Sequence, residues 1–327
     1  MTQQNQVRFR SPFAWRSCRA LAVITALFLS GVALAEPRIV ATTTSMGVLA
    51  RVVGGAEATV TTLVPPDRDA HDLTARPSMI AALRRADVLV AVGAQLEEGW
   101  LPAALDGAAN PRLRAGQPGH FSAADALHLR DTHFDPSFGA HVHEDGNPHF
   151  NLSPAHMAEA AMALALRMGG LYPDKAGIYR ARAVLFRMQV RARLPHWRDQ
   201  LATPLRAIAY HEEFDYFAEW LPLQLVGFIE PVPGVPPTSR HLSGLVERQR
   251  GSDGVVLHAD YQPGRAPSVL GETLGWPVLS LPLEPARADP ASWFELVEHW
   301  ATALATAGSR ALPPELPTTA APSRGGA

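Results

Sequence analysis

The chain has 327 residues, of which 47% are hydrophobic and 18% charged, with a formal net charge of −2. That apolar content excludes a disordered chain, and 29 prolines argue against a coiled coil or an all-helical bundle. Aromatic residues make up only 7%, so alanine, leucine and valine are expected to fill most of the core.

Residues 1–35 hold Arg8, Arg10, Arg16 and Arg19 and no acid. The rest is correspondingly more acidic and offers no basic patch for nucleic acid. The apolar run from Ala20 to Ala35 is interrupted by Thr25, Ser30 and Gly31. It falls short of the ~20 residues of a spanning helix. Arginines before it and Ala33-Leu34-Ala35 at its end read as a cleavable signal peptide over 1–35, with an uncleaved anchor as the competing reading. No twin-arginine pair precedes the run, so the general secretory route to the periplasm is expected. Cys18, the only cysteine, lies ahead of the apolar run. No lipid anchor is read there. Cleavage after Ala35 leaves a mature chain with no disulfide, cysteine nucleophile or cysteine-ligated metal.

The mature chain opens as alternating strands and helices. Arg38–Ala41 reads as a strand, and Thr42–Ser45 can cap a helix that ends near Gly54-Gly55. Thr59–Val64 is a β-branched strand closed by Pro65-Pro66. Pro77-Ser78 starts a helix through Arg85, and Val88–Val92 is a buried-type strand. Residues 106–148 are rich in Gly, Pro, Asn and His and read as a long functional loop. Ser153-Pro154 opens a helical stretch that pauses at Gly169-Gly170 and Pro173 and resumes to about Leu201. Strands then follow at Arg206–Tyr210, Leu223–Ile229, Gly254–Ala259 and Val278–Leu283. Between them lie helices at Phe214–Trp220, Ser239–Arg250 and Ala266–Leu274, with a last helix at Pro290–Ala305. This alternation predicts an α/β fold: two α/β lobes with parallel sheets joined by a long backbone helix. The expected boundaries are a signal peptide over 1–35, an N-terminal lobe over 36–172, a linking helix over 173–203, a C-terminal lobe over 204–308 and a disordered tail over 309–327.

Three of the 13 histidines sit where strands give way to loops: His71, His149 and His211. In open α/β sheets, ligands bind outside the carboxyl ends of the strands. Three neutral imidazoles suit Zn²⁺ at ~2.0–2.1 Å per bond, with one further ligand. His211-Glu212-Glu213-Phe214-Asp215 begins like H-E-x-x-H, but Asp215 stands where a zinc protease needs its second histidine. His133, His141 and His143 lie in the long loop beside Asp131, Asp135, Glu144 and Asp145. An auxiliary metal-collecting loop and a solvated loop that binds nothing are both open readings there. Trp100 reads as core packing, and Glu97 and Glu98 as charges near a helix start.

Several stretches resemble the metal-binding receptors of bacterial ABC importers, the zinc/manganese solute-binding family. Leu63–Asp72 with Pro77-Ser78 resembles the family's strand, its "VPPGxDPH" loop and its "PS" helix start. Leu96–Leu101 is similar to "LE.GWL". Gly146-Asn147-Pro148-His149 is similar to the second ligand motif, with Asn147 where Asp is common. Tyr210-His211 with Phe214–Phe217 matches the third motif. Ile229–Thr238 is close to "IEP.PG..PS". The order holds over nearly the whole mature chain.

This resemblance implies two lobes with a metal between them and His71, His149 and His211 as ligands. Glu284 is the expected fourth ligand, with Asp260 the second choice and water the third. Imidazole at all three matched positions favours zinc over manganese. The expected function is a high-affinity periplasmic zinc receptor, a monomer and not an enzyme, delivering Zn²⁺ as cargo to an ABC importer permease and its ATPase. The alternatives are a manganese or iron receptor of the same fold, or a secreted zinc hydrolase with Glu212 or Glu213 as base.

Overall fold

The computed structural model describes residues 36–132, 143–201, 203–232 and 234–311. Strand β1 (Arg38–Ala41) pairs in parallel with β2 (Thr59–Thr62) on one side and β3 (Val88–Ala91) on the other, and β3 pairs with β4 (His120–Ser122). The order is β2-β1-β3-β4. All four residues of β3, Val-Leu-Val-Ala, are buried, as a central parallel strand covered on both faces requires. Helix α1 (Thr44–Gly54) starts at an N-cap, Thr43, whose hydroxyl accepts from Met46 N. It ends on Gly55 at φ +72°, where a side chain would be strained. Helices α2 (Pro77–Arg85) and α3 (Leu101–Ala108) complete the first set of crossovers.

The second sheet has β5 (Leu205–Ala209), β6 (Leu223–Phe228), β7 (Val255–Ala259) and β8 (Val278–Leu281) in the order β6-β5-β7-β8, all parallel. Its crossovers carry α6 (Phe217–Trp220), α7 (Ser239–Gln249) and α8 (Arg265–Leu274). Taken in chain order, the two sheets have the same topology. In each the chain runs outward from the first strand to the second, then returns across the first to reach the third. That leaves a crevice between the first and third strands of each sheet, at their carboxyl ends.

Between the sheets run α4 (Pro154–Leu171) and α5 (Ala176–Gln200), and α9 (Pro290–Ala311) closes the chain. At 25 residues α5 extends about 37 Å. The N-terminal sheet packs on aliphatic residues such as Met46, Leu49, Val88 and Leu164, as the composition led one to expect. Aromatic side chains concentrate elsewhere: Trp197, Trp293, Trp300, Phe214 and Phe217 are fully buried in one contiguous cluster.

Several elements depart from the expectation. Residues 106–148 are not wholly loop, because α3 reaches Ala108 and β4 forms within them. Only Phe121 of β4 is buried, so the strand leaves almost no apolar signature, and its pairing to β3 defines it. Helix α4 runs through Gly169-Gly170 to Leu171, because Met168 and the residues before it are packed in the core. Helix α5 continues past Pro195, where a lost backbone bond is offset by burial of Trp197 and its indole bond to Glu298 Oε2 at 2.8 Å. Helix α9 runs to Ala311, past the expected tail start at residue 309. The expected signal peptide and residues 312–327 lie outside the described residues. Among the described residues no helix is long and apolar enough to cross a membrane.

Candidate metal centre

His71 sits in the loop that leaves β2. Leu63 N and Val64 N continue the pairing to Ala41 O and Thr42 O, at 3.0 and 2.9 Å, and the chain then turns at the two prolines. The Trp100 indole donates to Ala70 O at 2.8 Å and clamps the loop from below. Asp69 Oδ1 accepts from His71 N at 2.9 Å and meets His71 Nδ1 at 2.7 Å. One carboxylate thus closes a tight turn and fixes the ring, leaving Nε2 as the coordinating atom. Burial would raise the Asp69 carboxyl, but the bonds and charge of His71 outweigh it and hold it down at about 2.

His149 is set by Asn147, whose Oδ1 accepts from His149 N at 2.9 Å. The Asn147 amide donates to Glu212 O at 3.0 Å and Asp215 Oδ2 at 3.2 Å. An aspartate there would face the Asp215 carboxylate with no proton to give, which explains Asn at a place where Asp is common. The Tyr216 hydroxyl donates to Asn147 O at 2.7 Å and accepts from Arg130 N at 3.1 Å. His149 is 8% exposed, and its buried Nε2 has no hydrogen-bond partner among the described residues. Burial, then the neighbouring His71, His211 and His143, hold its pKa well below the usual imidazole value. A neutral, orphaned ring nitrogen in a buried site is what a cation would take up.

His211 follows β5 and is 4% exposed. Its Nδ1 lies 3.3 Å from Glu230 Oε2. Burial alone would lower its pKa, but the carboxylates of Glu213, Glu230 and Glu212 together raise it to about 9. Burial pushes the Glu213 carboxyl up to about 7, and Gln262 Nε2 donates to its Oε1 at 2.5 Å. A cavity of about 780 Å³ lies against the site, lined by Asp69, His71, Asp72, His211, Glu213 and Glu230 among others. Its acidic wall suits the approach of a hydrated cation.

The three sequence-predicted histidines come together. Ring centroids are 5.1 Å apart for His71 and His149, 5.3 Å for His149 and His211, and 6.2 Å for His71 and His211. Four imidazoles on a tetrahedral Zn²⁺ at ~2.0–2.1 Å place their centroids about 5 Å apart, so the observed rings are near that geometry. His143 joins them: the ligand atoms of His71, His143 and His149 all lie within 4.8 Å of one another. His211 stands just outside this tightest group.

The other sequence-predicted positions fare differently. Glu284 follows β8 and reaches the N-terminus of α1, where its Oε2 accepts from Ser45 N at 2.5 Å. Its Oε1 accepts from Asn151 Nδ2 at 3.3 Å. Burial pushes its carboxyl up to about 7. Asp260 follows β7 and is exposed. His133 and His141 lie outside the described residues. Glu97 is not a helix-start charge: it is buried and accepts from Val92 N at 2.8 Å and Gly93 N at 3.0 Å, binding the backbone at the end of β3. Sequence reasoning missed the positioning groups Asp69, Glu230 and Asn147. The signal for the first was a carboxylate two residues ahead of a histidine.

Residues 39–307 match the model of the family described as zinc-uptake complex component A, periplasmic, or ZnuA. The chain belongs to that family. The high-affinity zinc uptake system protein ZnuA of Yersinia pestis is 24% identical over 228 residues, which is 64% of this chain and 70% of the relative. A crystal structure of ZnuA superimposes with a TM-score of 0.68 at 21% identity, covering 84% of this chain and 99% of that one. The binding protein FpvC of Pseudomonas aeruginosa, solved in complex with Mn²⁺, gives 0.68 at 18% identity, with 84% and 99% covered. These likenesses bear out the fold of two parallel-sheet lobes. The ZnuA family is one of periplasmic receptors for metal uptake rather than of enzymes.

Proposed function

We propose that this chain captures Zn²⁺ between its lobes and hands it, as cargo, to the permease of an ATP-driven importer. It is exported by a signal peptide cut after Ala35 and works in the periplasm as a monomer. His71, His149 and His211 hold the ion through their Nε2 atoms. Asp69 receives the Nδ1 proton of His71 and so fixes its tautomer, and Glu230 lies beside Nδ1 of His211 as its charge partner. Nitrogen-rich ligation favours zinc over manganese.

The observation that carries this reading is the meeting of three imidazoles from separate places in the chain: the loop after β2, the turn leading into α4 and the end of β5. A shared cation would satisfy the buried Nε2 of His149, which has no hydrogen-bond partner among the described residues. Metal analysis of the purified mature chain tests it. One equivalent of zinc is expected in the parent, with a large loss in each of His71→Ala, His149→Ala and His211→Ala. A parent that binds no zinc, or variants that keep it, would overturn the receptor reading.

A further inference from the structure

His143 lies at the end of the segment whose histidines the sequence suggests as an auxiliary loop, yet it is buried in the main site at 2% exposure. Its Nε2 is 3.1 Å from Nε2 of His71. Two nitrogens on one tetrahedral Zn²⁺ at ~2.0–2.1 Å are about 3.3 Å apart, so this pair is already spaced as ligands are. The His143 ring lies 5.2 Å from that of His71 and 5.6 Å from that of His149.

The backbone around it is fixed. Gly146 N donates to His143 O at 3.1 Å, and Asn147 N donates to Arg130 O at 2.8 Å. Gly146 has φ +105°, and a Cβ there would come within 2.9 Å of Arg130 O, so this turn needs glycine. Asp145 bonds to Gln95 through both its backbone N–H and its carboxylate. The same short turn therefore delivers His143 and, six residues on, His149. Meanwhile both oxygens of Glu284 are engaged, one at the N-terminus of α1 and the other by Asn151.

We infer that His143 is the fourth ligand, so that four imidazoles and no carboxylate hold the cargo, and that this all-nitrogen set selects Zn²⁺ against Mn²⁺. The inference rests on the zinc-receptor reading above. The N-terminal lobe then supplies His71, His143 and His149, and the C-terminal lobe supplies His211. Imidazole donors in a tetrahedron suit zinc, whereas manganese favours oxygen donors in an octahedron.

X-ray absorption at the zinc edge of the loaded, full mature chain counts the ligands without any substitution. Four imidazoles are expected, and three imidazoles with one oxygen would overturn the inference. Competition against a chromophoric chelator gives the affinities. His143→Ala is expected to weaken Zn²⁺ binding about 100-fold, roughly one ligand's share in four. His143→Asp is expected to narrow the preference for Zn²⁺ over Mn²⁺. Unchanged affinity in the first, or unchanged preference in the second, would also overturn it. Circular dichroism melts confirm that each variant is folded. A parent that binds zinc and loses it with His149→Ala but not with His143→Ala sinks only the present inference. A parent that binds none sinks the receptor reading.

Discussion

At the scale of single residues, the site depends on what stands behind each imidazole. Asp69 and Glu230 touch His71 and His211 through Nδ1, and Asn147 holds the backbone of His149. Removing such a partner leaves the ligand in place but lets the ring turn. Asp69→Ala is therefore expected to weaken zinc binding by about 10–100-fold without abolishing it, as a chelator competition would measure. Protons set a second dependence. Zinc takes neutral imidazoles, so affinity falls as the pH drops below about 6.5. His211 extends this upward: Glu213 and Glu230 hold its proton up to about 9, so binding near neutrality expels a proton and affinity keeps rising towards that pH. Calorimetry in two buffers of different ionisation enthalpy counts the protons released. No release, with unchanged affinity at pH 5, would count against imidazole ligation.

At the scale of elements, α5 and α9 are joined by one carboxylate. Glu298 accepts from the Trp197 indole at 2.8 Å, from Gln200 Nε2 at 2.7 Å and contacts His196 Nε2 at 3.1 Å. Partial burial works to raise its pKa, but these bonds lower it overall. A lowered carboxyl stabilises the fold above its unfolded value, about 4.3, and that contribution is lost as the pH falls through the folded value. Glu298→Gln is expected to cost about 1 kcal/mol at pH 7, and the difference from the parent should shrink below about pH 4. Denaturant melts at pH 7 and pH 3.5 would show it; a difference that grows in acid would refute the assignment. The elements legible in sequence were those with strong local chemistry, such as the Ser153-Pro154 start of α4 and the apolar run of β3. β4 was not, because a three-residue strand with one buried side chain exists only through its neighbour.

At the scale of the whole molecule, the two lobes are stitched together near the site. Glu284 meets Ser45 N, Asn147 meets Glu212 O, and the Trp293 indole donates to Asn151 O at 2.8 Å. Gly47 of α1 sits so close to the C-terminal half that a Cβ there would lie 2.7 Å from Ala288 Cβ. Gly47→Val is expected to cost about 1–3 kcal/mol through overpacking at this junction, lowering Tm by several degrees in a thermal melt. The same contacts, with the unbroken α5, predict small loop adjustments on zinc binding rather than wide hinge closure. Small-angle scattering of the metal-free and loaded protein should give superimposable profiles, and a marked compaction would show a hinge.

Local chemistry in the sequence marked three histidines, and the alternation of apolar runs with helix starts laid out two α/β halves; both are short-range signals carried by neighbouring residues. Only the expected strand-end position of His149 differs, because that residue caps the turn into α4. The family motifs added the order in which those pieces come. Which nitrogens stand close enough to share an ion, and which acids are already occupied, was decided only by tertiary structure. His143 looked like one of several loop histidines, and Glu284 like an available carboxylate. Folding brought the first to 3.1 Å from His71 and put the second at the N-terminus of α1. Such distances arise between residues far apart in order, where no local pattern constrains them.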